Sequence, residues 1–278
     1  MTEDNRQQDS SEGPLFVNGA SGTVDERSAD NQSLRSIVAS PSEEPLLLAA
    51  HEIYIIHGWT YSIEPWTSAV SILRSKGVTV HQLRVPGLTS ESDKVWDIGG
   101  YVKWLRDELD GVENPIVLGH SNGGRISLNY LKKYPGSFKK LILLSAAGIN
   151  VSNEKISLKR RLFRIAAKIL KPLKYIPGVR KVVYRLIGGS DYDRAPANMK
   201  KTLHNMLESD KNLTLEDIET STAVLWGKND QITPLAQGKK MAHDLPHATI
   251  KEFDGWAHAP YITHPVELAE AILEELNT

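Results

Sequence analysis

The feature that most constrains this chain is a Gly-His-Ser-Asn-Gly segment at residues 119–123. The apolar residues before it, at 116–118, are typical of a buried strand, and those after it recur at helical spacing over 126–134. A strand that passes directly into a helix needs a tight turn, and glycines two positions before and after the serine leave room for one. The pattern therefore predicts that Ser121 projects from the fold beside the amide of Asn122 and a helix N-terminus.

Strands and helices alternate along most of the chain. Apolar, β-branched runs and helical periodicity predict strands at 53–56, 78–83, 141–144, 223–226 and 248–253, and helices at 64–75, 97–109, 236–243 and 265–276. This alternation predicts an α/β fold with a mostly parallel sheet that is covered by helices on both faces. In such sheets the active groups collect at the carboxyl ends of the strands.

Composition divides the chain into three parts. Residues 1–45 are acidic and polar, with too little apolar surface to offset the entropy of ordering, and they are predicted to form a disordered tail. The α/β core is expected to cover 46–149 and 214–278. Between these ranges the alternation stops, so residues 150–213 are predicted to form an inserted helical segment.

Four polar residues follow predicted strands at the same edge of the sheet: His57, Ser121, Asp230 and His258. A serine hydroxyl becomes a good nucleophile when an imidazole takes its proton and a carboxylate orients that imidazole. The chain order Ser121, Asp230, His258 is the order expected on such a sheet. The nearest rival for the acid is Asp254, which lies on the predicted His258 loop itself. We therefore predict Ser121 as nucleophile, His258 as base and Asp230 as the orienting acid.

The residues after the first predicted strand, at 57–59, are candidates for an oxyanion site. Gly58 lets the backbone approach a substrate, and the amide of Trp59 would then lie beside that of Asn122. Two such donors can stabilise the negative charge on a tetrahedral intermediate. His57, Gly58 and His120 are accordingly expected to line the substrate pocket.

Each of these residues also has a plain structural interpretation. Ser121 could belong to a turn without chemistry, and residues 57–59 could be an ordinary turn at the end of a strand. Asp230 could form an Asx-turn or a helix cap before Pro234. His258 could be a loop histidine that is bonded to the backbone.

Taken together, these segments resemble the α/β-hydrolase fold superfamily. The resemblance extends over residues 52–150 and 221–278 and rests on four segments, at 55–59, 119–124, 227–230 and 255–258. It implies an eight-stranded, mostly parallel sheet with a helical lid inserted after the sixth strand, where the interruption at 150–213 falls.

The same resemblance implies roles for individual residues. Ser121 would be the nucleophile, Asp230 and His258 its partners, and the amides of Trp59 and Asn122 the oxyanion donors. The departures from the pattern also matter. A serine at position 121 disfavours the epoxide hydrolases and haloalkane dehalogenases, whose nucleophile is a carboxylate.

The favoured function is hydrolysis of a small-molecule carboxylic ester through an acyl-enzyme. Two alternatives stay open, a carbon–carbon bond hydrolase of the same fold and a non-catalytic binding protein. The first is weakened because the stretch after Gly58 is not glycine-rich. The second is weakened because a protein without catalysis has no need of all three residues of the triad.

Composition excludes several classes of chemistry. The chain has no cysteine, which removes disulfides, thiol catalysis and thiolate metal sites, and neither a metal nor an organic cofactor is implied. A net charge of −1 gives no overall attraction to nucleic acid. The N-terminal residues lack an apolar signal-peptide core, and no run reaches the ~18 apolar residues of a membrane span, so a cytoplasmic protein is expected.

One segment departs from this neutral balance. Residues 155–190 carry eleven Lys and Arg and no Asp or Glu, and in 157–171 the apolar and basic residues fall on opposite helical faces. The favoured interpretation is a lid whose apolar face covers the active site while its basic face meets water. The alternative is binding to an anionic surface such as lipid headgroups, which would place the protein peripherally at a membrane.

Overall fold

The structure is a computed structural model that describes residues 51–149 and 195–278. Its strands are β1 Glu52–Ile56, β2 Thr79–Gln82, β3 Ile116–His120, β4 Lys140–Leu144, β5 Thr222–Gly227 and β6 Ala248–Phe253. Its helices are α1 Thr67–Ser75, after a 3-10 turn at Glu64–Trp66, α2 Ile98–Glu108, α3 Asn122–Lys133, α4 Ala197–Ser209, α5 Leu235–Asp244, α6 Pro260–Thr263 and α7 Pro265–Leu276. The predicted tail at 1–45 and the basic segment at 155–190 lie outside the described residues.

All six strands pair in parallel, in the order β2-β1-β3-β4-β5-β6. Every residue of β3, β4 and β5 is buried, as expected of central parallel strands that are covered on both faces. The predicted α/β class with a mostly parallel sheet is therefore confirmed. The described part of the chain forms six strands, whereas the resemblance implied about eight.

The two faces of the sheet carry separate apolar clusters. Successive residues of a strand point to opposite faces, so Ile53 of β1 belongs to one cluster and Tyr54 to the other. The first cluster includes Leu73 of α1 and Leu268 of α7, and the second includes Leu105 of α2. Each fully buried leucine or isoleucine contributes about 1.5–3 kcal/mol relative to exposure, so both layers of helices are held mainly by burial.

Helix α4 lies within the range predicted as an inserted segment, yet it packs on the core. Met199 and Met206 are buried in the same cluster as α2 and the sheet. The side-chain amide of Asn205 donates to the carbonyl of Trp96 at 3.0 Å, and that of Asn198 donates to the carbonyl of Ser92 at 3.1 Å. These contacts fix α4 against the loop that precedes α2. The lid predicted at 150–213 stays a prediction.

The turn between β3 and α3 depends on a close approach of backbones. A Cβ atom on Gly123 would lie 1.9 Å from the carbonyl oxygen of Ile56, and one on Gly119 would lie 2.7 Å from the Cα of Gly124. No side chain fits at either position. The glycines therefore let α3 begin directly against β1 and β3, in addition to allowing the turn itself.

This packing predicts very different effects on stability for two glycine substitutions. Gly123→Ala should destabilise the fold by about 3 kcal/mol or more, because the new methyl group would overlap the backbone of β1. Gly99→Ala in α2 is the matched control, since its Cβ would meet only the Asp97 carboxylate, at 3.5 Å. That variant should be neutral or gain up to about 1 kcal/mol from helix propensity. Urea denaturation measures both, and equal stabilities would contradict the prediction.

Candidate active site

Ser121 stands on the turn between β3 and α3 in a conformation that non-glycine residues rarely adopt. Its backbone has φ 50° and ψ −114°. Such a conformation costs about 1–3 kcal/mol and persists only where the surroundings enforce it. Here the Ser121 amide donates to the carbonyl of Leu144 at 3.2 Å, and its carbonyl accepts from the amides of Gly124 and Ala147 at 3.0 and 2.9 Å. The strained turn is thus held from both β4 and α3.

The three residues predicted to act together form one hydrogen-bonded chain. The Oγ of Ser121 lies 3.1 Å from Nε2 of His258, and Nδ1 of His258 lies 2.9 Å from Oδ2 of Asp230. Because a carboxylate only accepts hydrogen bonds, Nδ1 carries the ring proton and Nε2 is free to accept from the serine hydroxyl. This is the tautomer that a base acting on Ser121 requires.

Asp230 uses its two carboxylate oxygens for different purposes. Oδ1 accepts from the amides of Ile232 and Thr233 at 2.8 and 2.9 Å, as in the Asx-turn that was the structural alternative for this residue. Oδ2 instead faces His258. The side chain is completely buried. Burial by itself raises the pKa of the Asp230 carboxyl, but the bonds and charge of His258 together with the Thr233 bonds outweigh it, so the net pKa is lowered.

Thr233 contacts both Asp230 and His258, and it was not among the predicted site residues. Its Oγ1 lies 2.8 Å from Oδ2 of Asp230, 3.0 Å from the carbonyl of Ser145 and 3.1 Å from Nδ1 of His258. A hydroxyl has one proton, so it donates either to the carboxylate or to the carbonyl, and it can accept from the histidine. The only signal in the sequence was a hydroxyl residue three positions after the predicted acid.

The loop after β1 is braced by His57. The Nδ1 atom of His57 lies 2.7 Å from the carbonyl of Gly58, and Nε2 lies 2.6 Å from Oγ1 of Thr89. The carbonyl accepts, so Nδ1 carries the proton and the threonine donates to Nε2. Burial lowers the pKa of His57, which keeps the ring neutral. At 2% exposure, with both nitrogens occupied, His57 supports this loop and has little surface left for a substrate.

That brace also sets the direction of the next amide. In a planar trans peptide, the carbonyl of Gly58 and the N–H of Trp59 point in opposite directions. Holding the carbonyl toward the His57 ring therefore turns the Trp59 N–H away from that ring. The loop passes close to the serine, because a Cβ atom on Gly58 would lie 2.9 Å from the Cβ of Ser121.

The side chain of Asn122 is fixed by a buried ion pair. Its Oδ1 accepts from Nη1 of Arg125, and the Nε and Nη2 atoms of Arg125 bind the two carboxylate oxygens of Asp210 at 2.6 and 2.9 Å. Arg125 is only 4% exposed. This bidentate contact joins the first turn of α3 to the residue that follows α4. No local sequence pattern predicts the pair, because its partners are 85 residues apart.

His120, the residue before Ser121, is buried beneath the site. Its Nε2 atom lies 2.9 Å from the backbone carbonyl oxygen of His258. It was predicted to line the substrate pocket, and the structure places its ring among aromatic side chains instead, in edge contact with the stacked rings of Trp66 and Tyr261.

The sequence of this chain matches the model of a known family over residues 53–271, and the family is described as the Alpha/beta hydrolase family. The chain belongs to the alpha/beta hydrolase family. Its parallel sheet and the turn at Ser121 agree with this membership. The predicted resemblance is confirmed at the level of the superfamily.

Curated relatives of this alpha/beta hydrolase include two kinds of enzyme. It is 22% identical over 243 residues to a pimeloyl-[acyl-carrier protein] methyl ester esterase of Aromatoleum aromaticum, a match that covers 80% of this chain and 96% of the relative. It is 30% identical over 175 residues to a 2-hydroxy-6-oxononadienedioate/2-hydroxy-6-oxononatrienedioate hydrolase of Comamonas testosteroni, which covers 56% of this chain and 60% of that one.

Solved structures agree on the architecture. The monoacylglycerol lipase of Paleococcus ferrophilus matches this hydrolase with a TM-score of 0.55 and 20% identity, over 81% of this chain and 93% of that one. At such low identity the likeness shows the fold alone.

Within residues 51–149 and 195–278, no group of three or more His, Asp or Glu side chains could hold a metal ion. In the same ranges no helix has both the length and the apolarity needed to cross a membrane.

The ion pair beside Asn122 predicts a large loss of stability when it is broken. Arg125→Met should cost about 3–5 kcal/mol, because the Asp210 carboxylate would stay buried without its partner. The matched control is Lys103→Met, whose pair with Asp107 is exposed at both ends and should be worth about 0.5 kcal/mol or less. Urea denaturation compares the two, and a similar small loss for both variants would contradict a structural role for the Arg125 pair.

Proposed function

We propose that this protein is a serine hydrolase that cleaves small-molecule carboxylic esters through an acyl-enzyme. The observation that carries the proposal is the chain of hydrogen bonds from Ser121 through His258 to Asp230, with His258 in the tautomer that can accept the serine proton. The strained turn at Ser121 adds support, since strain of this kind clusters at active sites.

The first half of the reaction forms the acyl-enzyme. The Oγ of Ser121 attacks the ester carbonyl carbon while its proton passes to Nε2 of His258. The buried carboxylate of Asp230 stabilises the imidazolium that results. When the tetrahedral intermediate collapses, the bond to the alcohol oxygen breaks, and His258 gives its proton to the leaving alcohol.

The second half releases the acid. Neutral His258 takes a proton from water, the water oxygen attacks the acyl carbon, and the bond to Ser121 breaks as His258 returns the proton to Oγ. The products are a carboxylic acid and the original enzyme. In both halves the negative oxygen would be held by the backbone amides of Trp59 and Asn122, and loss of one such donor typically costs about 2.7–4 kcal/mol of transition-state stabilisation.

A second candidate is hydrolysis of a carbon–carbon bond beside a carbonyl group. The relative from Comamonas testosteroni favours it, because its identity of 30% is higher than the 22% of the methyl ester esterase. The match to the methyl ester esterase covers far more of both chains, so ester hydrolysis is the preferred candidate. The two candidates are separated by measuring kcat/KM on methyl and aryl esters and on a 2-hydroxy-6-oxo-dienoate. A higher kcat/KM on the esters supports ester hydrolysis, and a higher one on the dienoate supports carbon–carbon bond hydrolysis.

The proposed site of action is the cytoplasm, and contact with an anionic membrane through residues 155–190 is the alternative. Co-sedimentation with anionic and with neutral vesicles tests this contact directly. Binding to anionic vesicles alone would place the protein at such a surface.

The nucleophile is tested by labelling with a fluorophosphonate and measuring intact mass. We expect one adduct on the wild type and none on Ser121→Ala, because the phosphonate captures only an activated serine. Ser62→Ala is the matched control and should still form one adduct, since the Ser62 hydroxyl is bonded to the Glu64 amide on a loop outside the hydrogen-bonded chain. An adduct on Ser121→Ala would exclude Ser121. A folded wild type that takes no label would favour the non-catalytic alternative.

The acid is tested by a pair of matched substitutions. Asp230→Asn should lower kcat by roughly 10³- to 10⁴-fold, because an amide in place of the carboxylate no longer holds His258 in the required tautomer. Asp254→Asn should leave kcat unchanged, since that carboxylate is 89% exposed and pairs with Lys228. Steady-state kinetics on one ester compare the two variants. A large loss with Asp254→Asn and a small one with Asp230→Asn would reverse the assignment.

A further inference from the structure

His120 has no role in the proposed mechanism, although this buried histidine contacts the main chain of the proposed base, His258. Its Nε2 atom lies 2.9 Å from the backbone carbonyl oxygen of His258, 138 residues away in the sequence. A carbonyl oxygen only accepts hydrogen bonds, so Nε2 must carry the ring proton. The residue before the nucleophile therefore holds the backbone of the residue that would deprotonate it.

The second nitrogen of the same ring lies against the loop that carries the proposed oxyanion donor. A Cβ atom on Gly58 would lie 2.8 Å from Nδ1 of His120, so the glycine backbone rests directly on the imidazole. This nitrogen has no hydrogen-bond partner among the residues that the structure describes. The ring thus lies between the Gly58 loop and the His258 loop, directly before Ser121 in the chain.

Aromatic packing keeps the imidazole in this orientation. Its ring makes edge contacts with Trp66 and Tyr261, with centroid distances of 5.8 and 5.1 Å, and those two rings stack on each other at 4.1 Å. Tyr261 lies on α6, three residues after His258. The ring is therefore held by the same segment whose backbone it supports.

The environment also keeps the imidazole uncharged. Burial, and after it the nearby His258 ring at a centroid distance of 5.0 Å, lowers the pKa of His120 to about 3. The hydrogen bond to the His258 carbonyl and the negative charge of Asp230 oppose this lowering of the pKa, and His57 adds to it. A neutral ring donates one fixed hydrogen bond and adds no positive charge beside the imidazolium that forms on His258 during turnover.

We propose that His120 is a positioning residue, whose imidazole fixes the main chain of His258 and the Gly58 loop at set distances from Ser121. This role rests on the proposed function, in which His258 is the base. Removing the hydrogen bond should leave the chemistry of Ser121 intact but place its base less accurately. A displacement of that kind can lower the rate by about 10²-fold, so we expect a loss of roughly 10- to 100-fold in kcat with little change in KM.

The test compares His120→Met with His120→Gln by the rate of fluorophosphonate labelling and by kcat per labelled site. Methionine fills similar space without a donor, whereas the glutamine amide can place a donor near the position of Nε2. We expect complete but roughly 10- to 100-fold slower labelling for His120→Met, and a rate within about threefold of wild type for His120→Gln. Ile272→Ala, in the core on α7, controls for general destabilisation and should label at the wild-type rate.

Two results would overturn the role while the proposed function stands. One is His120→Met labelling at the wild-type rate, and the other is equal slowing in both His120 variants, which would mean that only ring packing matters. A wild type that never labels would overturn the proposed function, and this role with it. Nitrogen-15 NMR of the wild type tests the same point without relying on a folded variant. It should show His120 as an Nε2–H tautomer that does not titrate between pH 5 and 9, and a titrating ring would refute the role.

Discussion

The strained backbone of Ser121 is the constraint on which the rest of the site depends. Its positive φ is unfavourable for a residue with a side chain, and it survives because neighbouring backbone groups enforce it. The Ser121 amide is bonded to β4, its carbonyl accepts from the amides of Gly124, Arg125 and Ala147, and Gly123 lets α3 begin in contact with β1. Two strands and a helix therefore fix one hydroxyl, and movement of any of them would displace it.

The register of the sheet explains why residues so far apart in sequence meet at that hydroxyl. Ile56 of β1 pairs with Gly119 of β3, which pairs in turn with Leu143 of β4. These strands end at nearly the same level, so the loops that follow them leave the sheet side by side. Strands β5 and β6 pair up to Gly227 and Phe253, and the loops that follow them bring Asp230 and His258 to the same edge. The parallel topology therefore brings the loops that follow four strands together at the candidate site.

Local sequence patterns predicted most of the strands, helices and site residues. Predicted strand and helix bounds agree closely with the structure because apolar periodicity and the glycine turn are properties of a few adjacent residues. The contacts that the sequence did not predict join distant segments. Arg125 and Asp210 meet only because α4 packs on the core, and the bond from His120 to the backbone of His258 exists only once β3 and the loop after β6 are both in place. No short segment contains such a pair, so no pattern in the sequence marks it.

Asp230 shows why a structural and a functional interpretation of one residue need not compete. Oδ1 closes a turn by accepting two amides, and Oδ2 faces the histidine. Burial alone raises the pKa of this carboxyl and would favour the neutral acid. The bonds to Oδ1, together with those from His258 and the Thr233 hydroxyl, more than offset that penalty, so the buried group stays ionised. The turn therefore sustains the negative charge that an imidazolium at His258 requires, and the local structure of the acid loop becomes part of the proposed chemistry.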